Sequence, residues 1–177
     1  PAQSRVPILN AAASKEGREF AMLNADYLFT PVFDFNQAQM TATEITQAAS
    51  ENNREVGVFT FCTVVCRPTM QEAEEYLDYY ANQNADWEAV DYLMKLQGMH
   101  AQSFTPEALE MFRDRFAAGH GGFPLVGTPE HIADQLEQLS AAGIAGVTLA
   151  FVDYAAEFPY FAEQVLPLLV KRGLRDM

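Results

Sequence analysis

Two spacings of hydrophobic residue alternate along this chain. Short β-branched or aromatic runs recur, and each gives way to a stretch in which apolar residues return every three or four positions. The first run is Val6–Ala11, followed by a predicted helix from about Lys15 to Asn24. A second short strand is expected at Tyr27–Thr30, then an irregular aromatic segment, Pro31–Met40, and a helix from about Thr41 to Asn53. Val56–Val65 is β-branched and aromatic throughout, so it reads as a strand buried on both faces.

Capping signals sharpen the second half of the map. Thr69, with Glu72 three residues on, forms a capping-box signature, and helical sequence continues with interruptions to about Ala118. Thr128 reads as the N-cap of a further helix and Pro129 as its first residue. Ile132, Leu136 and Leu139 give that helix its buried face, and Gly143 stops it. A strand follows at Gly146–Val152. The last helix, about Glu157 to Lys171, carries Pro159 and Pro167 and is expected to kink.

Four strands joined by helical crossovers predict an α/β fold with a parallel sheet, a single domain over residues 1–177. A complete eight-fold barrel takes ~250 residues. Four βα units therefore amount to about half of a TIM (β/α)8 barrel. The excursion at about residues 78–126 is longer than a simple crossover and ends in Gly119-His120-Gly121-Gly122-Phe123-Pro124. It reads equally as a mobile lid or as a surface helical hairpin.

Composition narrows the function classes. With 49% hydrophobic residues the chain can bury a real core. No apolar run approaches the ~18 residues of a membrane-spanning helix. The formal charge of −13 argues against nucleic acid, whose phosphates would be repelled. The opening PAQSRVPILN lacks the design of a signal peptide, has no methionine and enters a strand almost at once, which suggests a processed or partial chain. Cys62 and Cys66, four apart in one strand, would sit about 13 Å apart, too far for a disulfide. Reduced thiols in a cytoplasmic protein is the reading that follows. His100, His120 and His131 are scattered, so no metal site is expected.

The candidate chemistry begins at the turn Ala11–Gly17. Its small residues bring backbone N–H groups and the Ser14 hydroxyl to a helix N-terminus, where unpaired amides and the helix dipole favour a phosphate. Without further support, a plain N-cap is the simpler role for Ser14, and solvated charges the simpler roles for Lys15 and Arg18. Asp153 and Tyr154 follow the last strand, at the end where barrel enzymes keep their chemistry. A carboxylate there could orient a substrate or act as a base, or simply close the turn. His120, flanked by glycines, has no partner in view.

Ala11–Gly17 with Ala25-Asp26-Tyr27-Leu28-Phe29 resembles the fifth βα unit and sixth strand of the bacterial luciferase-like, flavin-dependent monooxygenases. Phe59–Val65 with Arg67-Pro68-Thr69 resembles the seventh strand of that family and its helix. The stretch Phe123–Tyr154, with its Val-Gly-Thr-Pro-Glu cluster, resembles the closing helix and eighth strand. The resemblance covers the C-terminal half of the family's barrel and is nearest the branch with alkanesulfonate, dimethylsulfone and pyrimidine monooxygenases. It implies reduced FMN supplied by a separate flavin reductase, dioxygen and a small organic substrate. A half-barrel leaves the edge strands Val6–Ala11 and Gly146–Val152 unpaired, so a homo-oligomer, or the missing half, is expected to cover them. It carries the phosphate-binding positions over to Ala13 and Ser14, with Gly17 allowing close helix approach. Where several relatives have glycine or a polar residue in this turn, the chain has Ala12 and Ala13, which leaves more to the backbone amides. Catalytic residues are not assigned, because the resemblance implies that they lie in the other half. Two alternatives stay open: a non-catalytic flavin- or phosphate-binding half-barrel, and a deazaflavin-dependent oxidoreductase on the same scaffold.

Overall fold

A computed structural model describes residues 5–99 and 104–176. His100 lies outside the described residues. The described chain forms two compact units, one built from the residues up to Phe61 with Gln135–Thr148, the other from Cys62–Asp134 with the residues from Leu149 onward.

The first unit opens with β1 (Leu9–Ala11), α1 (Lys15–Asn24), β2 (Tyr27–Phe29) and α2 (Phe35–Glu51), and leads into β3 (Gly57–Cys66). β1 pairs with β2 and β2 with β3, both parallel, in the register Leu9↔Tyr27↔Gly57. β5 (Ile144–Ala150) also pairs with β3. The four strands expected from sequence are therefore neighbours in chain order. The core of this unit is the α2 stripe Ala38, Ala42, Ile45 and Ala49 with Leu28 and Val58 of the strands, all buried. These residues recur along α2 at the three-to-four spacing that turns one face inward.

Three boundaries differ from expectation. β1 starts at Leu9 rather than Val6, because pairing begins only where β2 does. Before that point Ile8 is held by Asp26, whose carboxylate accepts from the Ile8 N–H at 2.8 Å. The segment expected to be irregular is helical from Phe35: Asp34 caps α2 by accepting from Gln37 N–H at 2.7 Å, and Gln37 in turn accepts from Phe33 N–H at 2.9 Å. The final strand begins two residues earlier, at Ile144, directly after Gly143 ends the preceding helix with φ 91°.

In the second unit the far end of β3 pairs in parallel with β4 (Phe123–Gly127), a strand the sequence reading missed. Between them run α3 (Met70–Asp78), one π-helical turn (Tyr79–Gln83), α4 (Trp87–Leu96) and α5 (Pro106–Gly119). The described part of this excursion is largely helical. Arg113 forks onto Asp91 at 2.6 and 3.1 Å and stacks 4.1 Å over the Trp87 ring, tying α5 to α4. After β4, α6 (Pro129–Ala141) starts where Thr128 caps it, with the Thr128 hydroxyl accepting from His131 N–H at 3.3 Å. The C-terminal helix is broken at Val165 into α7 (Tyr154–Gln164) and α8 (Leu166–Lys171), beside Pro167. Cys62 and Cys66 are buried and free, and burial pushes their thiols up to about 12 and about 11. No helix among the described residues is long and apolar enough to cross a membrane.

Candidate functional site

In the first unit β1 ends as Ala12 N–H donates to the Phe29 carbonyl at 3.0 Å. Ala13 is exposed, and Ser14 takes the extended N-cap conformation, φ −72° and ψ 158°. Its hydroxyl oxygen accepts from Gly17 N–H at 3.1 Å, and its carbonyl accepts from Arg18 N–H at 3.0 Å. Gly17 is forced by space: a Cβ there would lie 2.6 Å from the Ala12 Cβ. The turn therefore folds tightly onto the first turn of α1.

Two consequences bear on ligands. The first-turn N–H groups of Lys15 and Glu16 have no acceptor inside the helix. The Ser14 oxygen accepts while its proton stays free to donate. Those donors, at the positive end of the helix dipole, fit a phosphate. Glu16, in the same first turn, opposes an anion. Lys15 lies 3.9 Å from Glu19 and Arg18 lies 3.9 Å from Glu44, so both cations also have intramolecular company.

The second unit carries a polar cluster that sequence reasoning did not assemble. Arg67, at the end of β3, meets Glu157 on α7 at 2.5 Å and donates to the Cys66 carbonyl at 2.8 Å. Its guanidinium lies 3.9 Å over the Tyr76 ring. Glu157 is 8% exposed and its second oxygen accepts from Asp153 N–H at 3.1 Å. Burial first, and then the Glu157 charge, hold the Tyr76 phenol above its usual range. Asp153 caps α7 by accepting from Ala155 and Ala156 N–H at 2.9 and 3.1 Å, the turn-closing role. Tyr154 packs edge-on against Phe151, 5.5 Å between centroids. Only the i,i+4 relation of Asp153 to Glu157, just after a strand, could have pointed to this box.

His120 is the left-handed C-cap of α5, φ 55°, with its Nε2 3.3 Å from the Gln97 amide nitrogen. His131 flanks Gly127. Among the described residues no group of His, Cys, Asp and Glu is close enough to hold a metal ion.

The parallel strands joined by helices, with a small-residue turn at a helix N-terminus, place the chain among the α/β proteins. A profile of the luciferase-like monooxygenases matches residues 1–146, and the chain belongs to that family. It is 28% identical to the dimethyl-sulfide monooxygenase of Hyphomicrobium sulfonivorans, over 98% of this chain and 43% of that protein. It is likewise 28% identical to the FMNH2-dependent dimethylsulfone monooxygenase of Pseudomonas fluorescens, over 93% of this chain and 46% of the relative. The crystal structure of DmoA from Hyphomicrobium sulfonivorans superposes with a TM-score of 0.78 at 23% identity, over 93% of this chain and 41% of that one. The chain thus spans less than half the length of the relatives it matches.

Proposed function

We propose that this chain is the C-terminal part of an FMN-dependent monooxygenase that uses reduced flavin from a separate reductase, and dioxygen, to oxygenate a small organic substrate. The observation that carries the reading is the Ala13–Gly17 turn, with a free serine proton and unpaired amides at the start of α1. The FMNH2-dependence of the dimethylsulfone relative supports the choice of cofactor. Ser14 and the Lys15 and Glu16 amides would hold the flavin's phosphate, while Gly17 keeps the turn close to the helix. Reduced flavin supplies the electrons that activate dioxygen. This chain's part is to bind and orient it.

The reading includes assembly. Val6, Ile8 and Leu9 are 78%, 48% and 48% exposed, and Phe20 and Leu23 of α1 are each 52% exposed. In the working protein the remainder of a barrel, or a second copy, covers this apolar edge. The free, buried thiols suit a cytoplasmic setting.

The test compares FMN with riboflavin, which differ only by the phosphate. Fluorescence titration should show FMN binding at least about tenfold tighter, since a charge-assisted contact is worth about 1.5–3 kcal/mol. Equal affinity would remove the phosphate site, and preference for a deazaflavin over both would move the chain to the alternative cofactor.

A further inference from the structure

The second unit holds a cavity of about 380 Å³, within the size range of small-molecule pockets. Its floor is one face of the β3–β4 pair: Thr63 stands opposite Pro124 and Val65 opposite Val126, so all four side chains project the same way. Its walls come from α3, the π-helical turn and α5. π-Helical turns are rare and frequent at functional sites. This one is tied in place, because the Tyr80 hydroxyl donates to the Ala118 carbonyl at 3.0 Å. Burial pushes the Tyr80 phenol up to about 12, so that donor persists through the neutral range.

Charge at the cavity is net negative. Among the described residues that line it, Glu74, Asp78 and Asp114 carry carboxylates and Arg115 a guanidinium. The Asp78 carboxylate accepts from the Asn82 and Gln83 side-chain amides at 2.9 and 2.5 Å, which holds its pKa below the usual range and keeps it ionised. A largely apolar floor, broken by the Thr63 side chain, under a net negative rim suits a ligand with an apolar body and a positive head.

We propose that this cavity binds a small organic cation, an amine carried on a ring-sized apolar body. The proposal does not depend on the flavin reading, since floor and walls belong to the second unit and the test contains no flavin.

Three probes of one size and different charge decide it: benzylamine, benzyl alcohol and benzoate, titrated into the 177-residue chain and followed by protein NMR. Benzylamine should bind saturably, roughly threefold to fivefold tighter than the alcohol, the gain available from exposed carboxylates. Benzoate should bind weakest. Ala118→Leu, which fills the cavity, should abolish binding of amine and alcohol alike while circular dichroism shows the fold intact. Benzylamine binding unchanged in that variant would mean mere attraction to an acidic surface, and would overturn the proposal. Should Ala118→Leu fail to fold, Glu74→Gln with Asp114→Asn decides, both positions being exposed. The amine's preference over the alcohol should then disappear; its survival would overturn the proposal.

Discussion

At the start of α1 the polar groups face water with bonding capacity to spare. At the end of β3 the polar groups already hold one another. Ser14 is exposed and makes one short-range cap bond, with two first-turn amides beside it that the helix cannot satisfy. Arg67 is shared among Glu157, the Cys66 carbonyl and the Tyr76 ring, and Glu157 is shared between Arg67 and the Asp153 amide. Both places follow a strand and precede a helix, the position at which α/β proteins place ligands. On the proposed function, the difference separates binding from framework: a site needs unspent donors, whereas a closed network fixes where the next helix begins.

The largest effect belongs to the closed network. Arg67→Ala would leave Glu157, 8% exposed, without its cation, and should lower unfolding stability in urea by about 3 kcal/mol. A loss near zero would mean that the end of β3 is as open as the start of α1. Next comes Gly17→Ala, whose Cβ would press on Ala12 at 2.6 Å. It should cost about 1–3 kcal/mol, and the double change with Ala12→Gly should restore most of it. Failure of that rescue would locate the strain elsewhere in the turn.

How far these features were legible depended on whether the signal was local. Caps are local, so Thr69 with Glu72, Thr128 with Pro129, and Gly143 marked their helix ends from sequence, and the Thr69 box is formed on both sides. The start of α2 was equally local, an Asp34 cap on the Gln37 N–H, but the aromatic residues Phe33 and Phe35 masked it. β4 was hidden for a different reason. Its five residues contain Pro124 and Gly127, which normally argue against a strand. Gly127 gives its carbonyl to Arg67 N–H at 3.0 Å, so alternate residues of β4 face β3 and Pro124 faces away, where its missing N–H breaks no ladder bond. The Ser14 turn was read because all its parts lie within a few residues. The Arg67–Glu157 pair joins positions 90 apart, and no local pattern announces it.

A smaller effect sharpens the same contrast inside the first unit. Thr30 and Thr60 are fully buried, and neither hydroxyl has a hydrogen-bond partner among the described residues. Thr60→Val keeps the β-branched shape and removes an unpaired polar group, so stability should change by less than about 0.5 kcal/mol or rise slightly. A loss above about 1 kcal/mol, read in the same urea series, would reveal a bound partner such as an ordered water.

The most direct measurement is an amide-resolved NMR titration of the chain with inorganic phosphate, repeated on Ser14→Ala and Ser14→Asp. Ser14→Ala removes both the cap and the donor proton, and should cost about 1 kcal/mol of stability together with phosphate binding. Ser14→Asp keeps an acceptor for Gly17 N–H but places a negative charge where phosphate would sit, so stability should be retained and binding lost. The expected result is saturable shifts at the Lys15 and Glu16 amides in the native chain and none in either variant. Phosphate shifting those amides equally in all three proteins, or not shifting them at all, would make Ser14 a helix cap alone and contradict the reading of this turn as the flavin phosphate site.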